Sequence, residues 1–324
     1  MHIVTRPQLP VLDLSQLSGT ATERALFLQQ LRHAARDVGF FYLVGHGISE
    51  QRQQQVLQLA KQFFALPTEV KAKYHQSGQG GARGYTGFGV EKAKDSNHPD
   101  LKEFWHVGRE LEGPAPHPSL YPNVWPDEVP AFKEATYRLY TELEKLGNRV
   151  LEALALFLGQ QQSYFADKVN YGNSILRPIH YPPIKDTSTQ SIRAGQHEDI
   201  NLITLLVGSN EAGLEILRRD GSWLPVTTIE GTIVVNIGDM LQRLTNHVLP
   251  STTHRVVNPA GAAAGEPRYS IPFFMHPNPD YVIETLASCV SAERPNRYPE
   301  PINSNDYLMQ RLEEIGLLKK AQKG

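Results

Sequence analysis

Beyond Ser174 the chain breaks into short runs of apolar, β-branched and aromatic residues, each closed by a turn. Residues 175–181, 191–197, 201–207, 214–217, 232–237, 254–258 and 269–275 all have this form. Strands this short are not stable alone and must pair around a shared buried face. Repeated at this spacing, they predict a β-sandwich or a barrel.

The preceding half reads differently. Residues 22–38 carry apolar side chains at spacings of three and four, which predicts a helix ended by Gly39. Residues 40–44 predict a buried aromatic strand, and Ser49 caps a second helix running to residue 65. Six glycines crowd residues 76–100 and predict a long loop anchored by Tyr85 and Phe88. Residues 112–130 are proline-rich and predict an irregular connection. Residues 127–158 predict the longest helix, with one apolar stripe through Phe132, Leu139, Leu146 and Leu154. Residues 305–319 predict a closing helix. The expected fold class is α+β with a mainly β core. The expected divisions are an N-terminal region (1–125), a long helix and connection (126–170), a β core (171–280) and a C-terminal helical segment (281–324).

Composition excludes several function classes. The net charge of -2 among 324 residues lacks the basic footprint of a nucleic-acid binder. No apolar run is long enough to span a membrane, and the first residues lack the pattern of a signal peptide. The single cysteine, Cys289, allows no internal disulfide. These features predict a cytoplasmic protein with neither nucleic acid nor membrane as a partner.

The chemistry is carried by the β half. His197 and Asp199 stand two residues apart at a strand, and residues i and i+2 share a face. An imidazole and a carboxylate so placed make up two-thirds of the facial triad of non-haem Fe(II) oxygenases. Among twelve histidines one His-x-Asp pair is weak evidence. His254, opening a later apolar strand, is a candidate third ligand, and a barrel can bring such strand ends together. His180 is its rival. His2, His33, His75, His98 and His117 read as solvated, and His46 and His247 as turn residues. Arg268 and Ser270 form a second i, i+2 pair, suited to gripping a carboxylate. Tyr181 offers a phenol from another strand.

Together these pieces resemble the isopenicillin N synthase-like family of Fe(II)/2-oxoglutarate-dependent dioxygenases, over nearly the whole chain. The N-terminal half is similar in Leu9-Pro-Val-Leu-Asp13, in the stretch from Asp37 to Ile48, in Phe63-Phe-Ala-Leu-Pro67 and in Arg83-Gly-Tyr85. The C-terminal half is similar in Tyr181-Pro-Pro183, His197-Glu-Asp199, Val235-Asn-Ile-Gly-Asp239, Ser251-Thr-Thr-His-Arg-Val256 and Arg268-Tyr-Ser270. The ordered set is far more specific than any one motif. The resemblance implies a double-stranded β-helix, or jelly roll, with flanking helices. It implies Fe(II) on His197, Asp199 and His254, the distal carboxylate of 2-oxoglutarate on Arg268 and Ser270, and Tyr181 near the co-substrate. It implies that O2 and 2-oxoglutarate are consumed as a small substrate is hydroxylated, desaturated or cyclised, releasing succinate and CO2. Tyr85, Phe88, Trp105, Arg177 and Phe274 are the substrate candidates, and Arg177 or Arg193 could meet an acidic one.

Two departures stand out. Many relatives carry asparagine where this chain has Ile179, and an Asn-Gly turn is replaced by Asn246-His247. Histidine tolerates positive φ better than most residues, so the turn can survive. Three other readings stay open: an oxidase of the isopenicillin N synthase type that uses no 2-oxoglutarate, a Zn(II) hydrolase, and a non-catalytic binding module on the same barrel. The hydrolase needs a general base beside the metal, and Glu198 alternates to the other strand face.

Overall fold

The computed structural model describes residues 9–92, 98–184, 191–207, 213–227, 229–259, 261–315 and 317–318. His2 and residue 319, the expected end of the closing helix, lie outside them. The strands are β1 (Val11–Asp13), β2 (Phe40–Val44), β3 (Gly84–Thr86), β4 (Glu103–His106), β5 (Ile175–Leu176), β6 (Ile179–Tyr181), β7 (Ala194–His197), β8 (Ile203–Val207), β9 (Leu214–Leu217), β10 (Trp223–Pro225), β11 (Ile233–Ile237), β12 (His254–Val256), β13 (Arg268–Met275), β14 (Val282–Ile283) and β15 (Ile302–Asn303). The α-helices are α1 (Ala21–His33), α2 (Glu50–Phe64), α3 (Thr68–Ala72), α4 (Phe132–Phe157), α5 (Asp239–Leu244) and α6 (Ser304–Glu314).

The larger sheet has the order β1-β2-β11-β8-β13-β6-β4-β3, with β5 also on β13; the smaller has the order β10-β9-β12-β7. Their inner faces share one cluster: Phe40, Tyr42, Phe104, Ile179 and Val234 from the larger pack with Leu214, Ile216, Leu224 and Val256 from the smaller. The intervening residues Phe41, Leu43, Val235 and Phe273 point outward and join α1, α2 and α4 in a second core. Period-two alternation thus lets one strand serve two cores, which is why Phe40–Val44 is apolar throughout. Two facing sheets with helices on the outer face make the expected jelly roll. No helix among the described residues is long and apolar enough to cross a membrane.

Local chemistry sets the boundaries. Thr20 and Glu23 form a reciprocal capping box on α1, and Ser49 caps α2 by accepting from Arg52 N. The helix predicted over 22–38 closes with a π turn over 34–38, where Gly39 takes φ 77°. The long helix starts at Phe132 rather than 127, because Pro130 disfavours helical geometry at the residue before it. Pro178 divides the predicted 175–181 run into β5 and β6. The glycine-rich region is not all loop: β3 lies in it and pairs with β4. The Asn246-His247 turn has φ 49° and 62°, and Asn246 Nδ2 bonds the carbonyls of Cys289 and Pro295.

Gly238 joins β11 to α5, where an added methyl group would collide with the carbonyl oxygen of Asn201. That contact is with backbone and cannot be relieved by a rotamer change. Gly238→Ala is expected to cost about 1–3 kcal/mol of stability, read from urea midpoints; an unchanged midpoint contradicts this packing.

Candidate active site

β7 and β12 run antiparallel with His197 and His254 as direct partners, which sets their rings 4.3 Å apart. Asp199 follows two residues after His197. Its Oδ1 is 3.9 Å from His197 Nε2 and 3.7 Å from His254 Nε2. The other polar atom of each side chain is already engaged. His197 Nδ1 donates to Gly195 O at 2.7 Å, and His254 Nδ1 donates to Thr252 O at 3.1 Å. Asp199 Oδ2 accepts from Thr204 Oγ1 at 2.6 Å and from Asn236 Nδ2 at 2.8 Å. Two imidazole lone pairs and one carboxylate oxygen are left aimed at one region, within 4.8 Å of one another. Among the described residues no other trio of His, Cys, Asp or Glu converges so. The donor set and its supporting hydrogen bonds fit a two-His-one-carboxylate metal such as Fe(II).

Electrostatics favour the same state. Burial, then the neighbouring His254, pulls His197 down to about 4, so its imidazole is neutral at neutral pH. Burial alone would raise Asp199; His254, His197 and the two hydrogen bonds outweigh it and hold the carboxyl below its ordinary value. Deprotonated donors are what a metal requires.

A cavity of about 390 Å³ opens beside the triad. Its floor is charged and includes Glu91, Asp100, Lys102, His106 and Arg177; its roof includes Leu308, Leu312 and Ile315 from and just past α6. The Arg177 guanidinium lies 4.4 Å from the centre of the Phe104 ring and 4.9 Å from that of Phe274. Its Nε donates to His106 Nε2, and His106 Nδ1 donates to Gly81 O. Burial, reinforced by Arg177, holds His106 well below its ordinary value, which matches this accepting role. Burial likewise lowers His276 to about 4.

Arg268 and Ser270 share the inner face of β13, and their cross-strand partners on β6 are Tyr181 and Ile179. The Arg268 guanidinium lies 5.1 Å from the centre of the Tyr181 ring. Tyr181 packs in the inner cluster with Ala194 of β7 and Val256 of β12, the strands that carry the two histidines, whereas none of Arg268, Ser270 and Tyr181 lines the cavity.

Of the five substrate candidates, Arg177 and Phe274 line the cavity. Tyr85 and Trp105 do not: they are cross-strand partners facing the outer core, where Trp105 packs on Phe63 and Phe132. Phe88 is exposed and sits against His180. Strand alternation is the cause, since Glu103 and Trp105 point outward while Phe104 packs in the inner cluster and His106 lines the cavity. His180 also points outward, with Nδ1 2.7 Å from Glu103 Oε1 and its ring stacked on Tyr269, so it is no rival to His254. Arg193 donates to Glu266 O and does not line the cavity. His117 does line it, although its sequence context reads as solvated. Sequence reasoning missed Glu91, Asp100, Lys102, His106 and His276. The alternating Lys102-x-Phe104-x-His106 was the available signal, and it was lost because residues 76–106 lack strand-like punctuation.

Comparison with known proteins bears directly on this arrangement. Residues 9–128 match the family described as non-haem dioxygenase in morphine synthesis N-terminal, and residues 168–277 match the 2OG-Fe(II) oxygenase superfamily. The chain is 35% identical over 311 residues to a 2-oxoglutarate-Fe(II) type oxidoreductase of Emericella nidulans, covering 92% of this chain and 87% of that one. Its fold is similar to that of a 2OG-Fe(II) oxygenase family protein from Caulobacter crescentus, with TM-score 0.85, 49% identity and coverage of 96% and 100%. It is also similar to a full-length Neurospora crassa protein solved in complex with alpha-KG, with TM-score 0.82, 34% identity and coverage of 94% and 96%. The chain belongs to the 2OG-Fe(II) oxygenase superfamily. It is an Fe(II)- and 2-oxoglutarate-dependent dioxygenase acting on a small molecule.

Glu91 supplies a pH test. Burial works against its charge, but Lys102 and Arg177 outweigh this and hold the carboxyl at about 2. A depressed pKa contributes stability that is present above the ordinary carboxylate range and lost as pH falls toward the folded value. The difference in urea midpoint between wild type and Glu91→Gln is therefore expected to be full at about pH 6 and smaller at about pH 3. Equal differences contradict the assignment.

Proposed function

We propose that His197 Nε2, Asp199 Oδ1 and His254 Nε2 hold the Fe(II) of this chain. Arg268 and Ser270 bind the distal carboxylate of 2-oxoglutarate, and Tyr181 braces the co-substrate between them and the metal. The observation that carries this reading is the commitment of every other polar atom of the triad to a hydrogen bond, which leaves three donors without freedom to turn away. When bound, the metal and 2-oxoglutarate supply the oxidising chemistry, in which O2 is consumed, succinate and CO2 are released and the substrate is hydroxylated.

The protein's own task is placement. A guanidinium fork at Arg268 sets the angle of a dicarboxylate as well as its affinity. The substrate occupies the cavity beside the triad, touching Phe274 and Arg177, with the apolar roof excluding water. Two aromatic rings lie against Arg177, which lines the cavity and can offer N–H groups to a ligand. That supports a small substrate carrying a hydrogen-bond acceptor. Related chains carry descriptions in keeping with this size: a homoarginine-6-hydroxylase in Arabidopsis thaliana, and the Neurospora crassa protein in complex with alpha-KG and thymine. Within this reading residues 171–280 carry the chemistry, 1–125 and 126–170 brace it, and 281–324 supplies the roof. The cytoplasm is the proposed location, supported by the lone, buried Cys289, and neither nucleic acid nor membrane is proposed as a partner.

His197→Ala and Asp199→Ala are each expected to abolish succinate release, and near-wild-type turnover in both sinks the assignment. Arg268→Ala removes charge-assisted hydrogen bonds of about 1.5–3 kcal/mol. It should raise the 2-oxoglutarate requirement on the order of 10- to 100-fold. An unchanged dose-response curve removes Arg268 from this role.

A further inference from the structure

A chain of contacts runs from the cavity floor to His197. Lys102 Nζ lies 2.5 Å from Glu91 Oε1 and 2.9 Å from Asp100 Oδ2, and all three side chains are buried. The other Asp100 oxygen, Oδ1, accepts the Gly195 N–H at 3.0 Å. The Gly195 carbonyl then accepts Nδ1–H of His197 at 2.7 Å. Ahead of β7, the Leu101 N–H donates to Ile192 O at 2.9 Å. Residues 100 and 101 therefore clasp the incoming strand at two points, and one of them fixes the residue that orients the His197 ring.

Packing alone does not call for this arrangement. A buried ion pair is a weak source of stability, and apolar side chains of similar volume fill the same space as well or better. What a buried carboxylate adds is direction: with Oδ2 held by Lys102, Oδ1 has one place to point. Groups that orient a ligating histidine from behind typically change metal affinity when they are removed, even though they never touch the metal.

We infer that Asp100, steadied by Lys102, is a positioning residue for His197, acting through the backbone of Gly195. The inference rests on the reading that His197 ligates the metal. Its test is a Co(II) titration of the full apo chain, followed by visible absorption, with two charge-balanced double variants. Asp100→Asn with Lys102→Met keeps an acceptor for Gly195 N–H and leaves Glu91 opposite Arg177. Asp100→Leu with Lys102→Met removes the same charges but offers no acceptor. Binding on the order of 10- to 100-fold weaker in the leucine variant than in the asparagine variant is expected. Circular dichroism and thermal midpoints identify loss of fold, which a merely structural role would produce without separating the two affinities. Equal Co(II) affinities in the two folded variants, with His197→Ala still losing the ion, overturn the inference and leave the site intact. Wild-type affinity in His197→Ala overturns the site reading itself, and this inference with it.

Discussion

The pairing of β7 with β12 is the interaction on which the rest depends. It places His197 opposite His254, although 57 residues separate them (254 − 197). A slip of one residue would turn one of the two imidazoles to the opposite face, because side chains alternate with period two. The register is defended from both sides. β12 also pairs with β9, and Thr252 Oγ1 donates to Val38 O, tying the approach of β12 to the N-terminal half. Gly39 lies against that contact, and a side chain there would collide with Thr252 Oγ1. The first half of the chain thus fixes where the second half presents its histidine.

The same alternation sorts charge. On β4, Glu103 faces outward to Lys71, Tyr85 and His180, while Lys102, just ahead of the strand, faces the cavity. Burying this many ionisable groups carries a desolvation cost that only close pairing offsets. Both clusters meet that condition with contacts between 2.5 and 2.9 Å. The inner cluster lines the cavity together with His197 and Asp199, which places fixed charge beside the triad.

Much of this was legible in the sequence, and the reasons are physical. The strands after Ser174 carry β-branched runs between turn residues, so their existence and a sandwich or barrel could be read directly, while the jelly roll came from the family resemblance. His197 and Asp199 could be named because i, i+2 spacing survives any detail of packing; His254 was a candidate beside His180 until the family resemblance separated them. The cavity floor could not. Lys102 and His106 lie after a glycine-rich stretch that resembles loop, and β4 meets its partner β6 across 75 residues at Phe104 and Ile179 (179 − 104). Trp105 reads as a substrate candidate by its position in the family pattern, but a one-residue step in a strand exchanges cavity for core. The boundary at Pro130 is a local rule that the continuous apolar stripe conceals.

The central claim is that three side chains of this chain converge on one metal. Crystals grown anaerobically with Fe(II) and 2-oxoglutarate, measured on either side of the iron absorption edge, test it without reference to any substrate. One strong anomalous peak is expected, in coordinating contact with His197 Nε2, Asp199 Oδ1 and His254 Nε2. A peak held elsewhere, by His106 or His276 for instance, or no peak in crystals that bind 2-oxoglutarate, would contradict it.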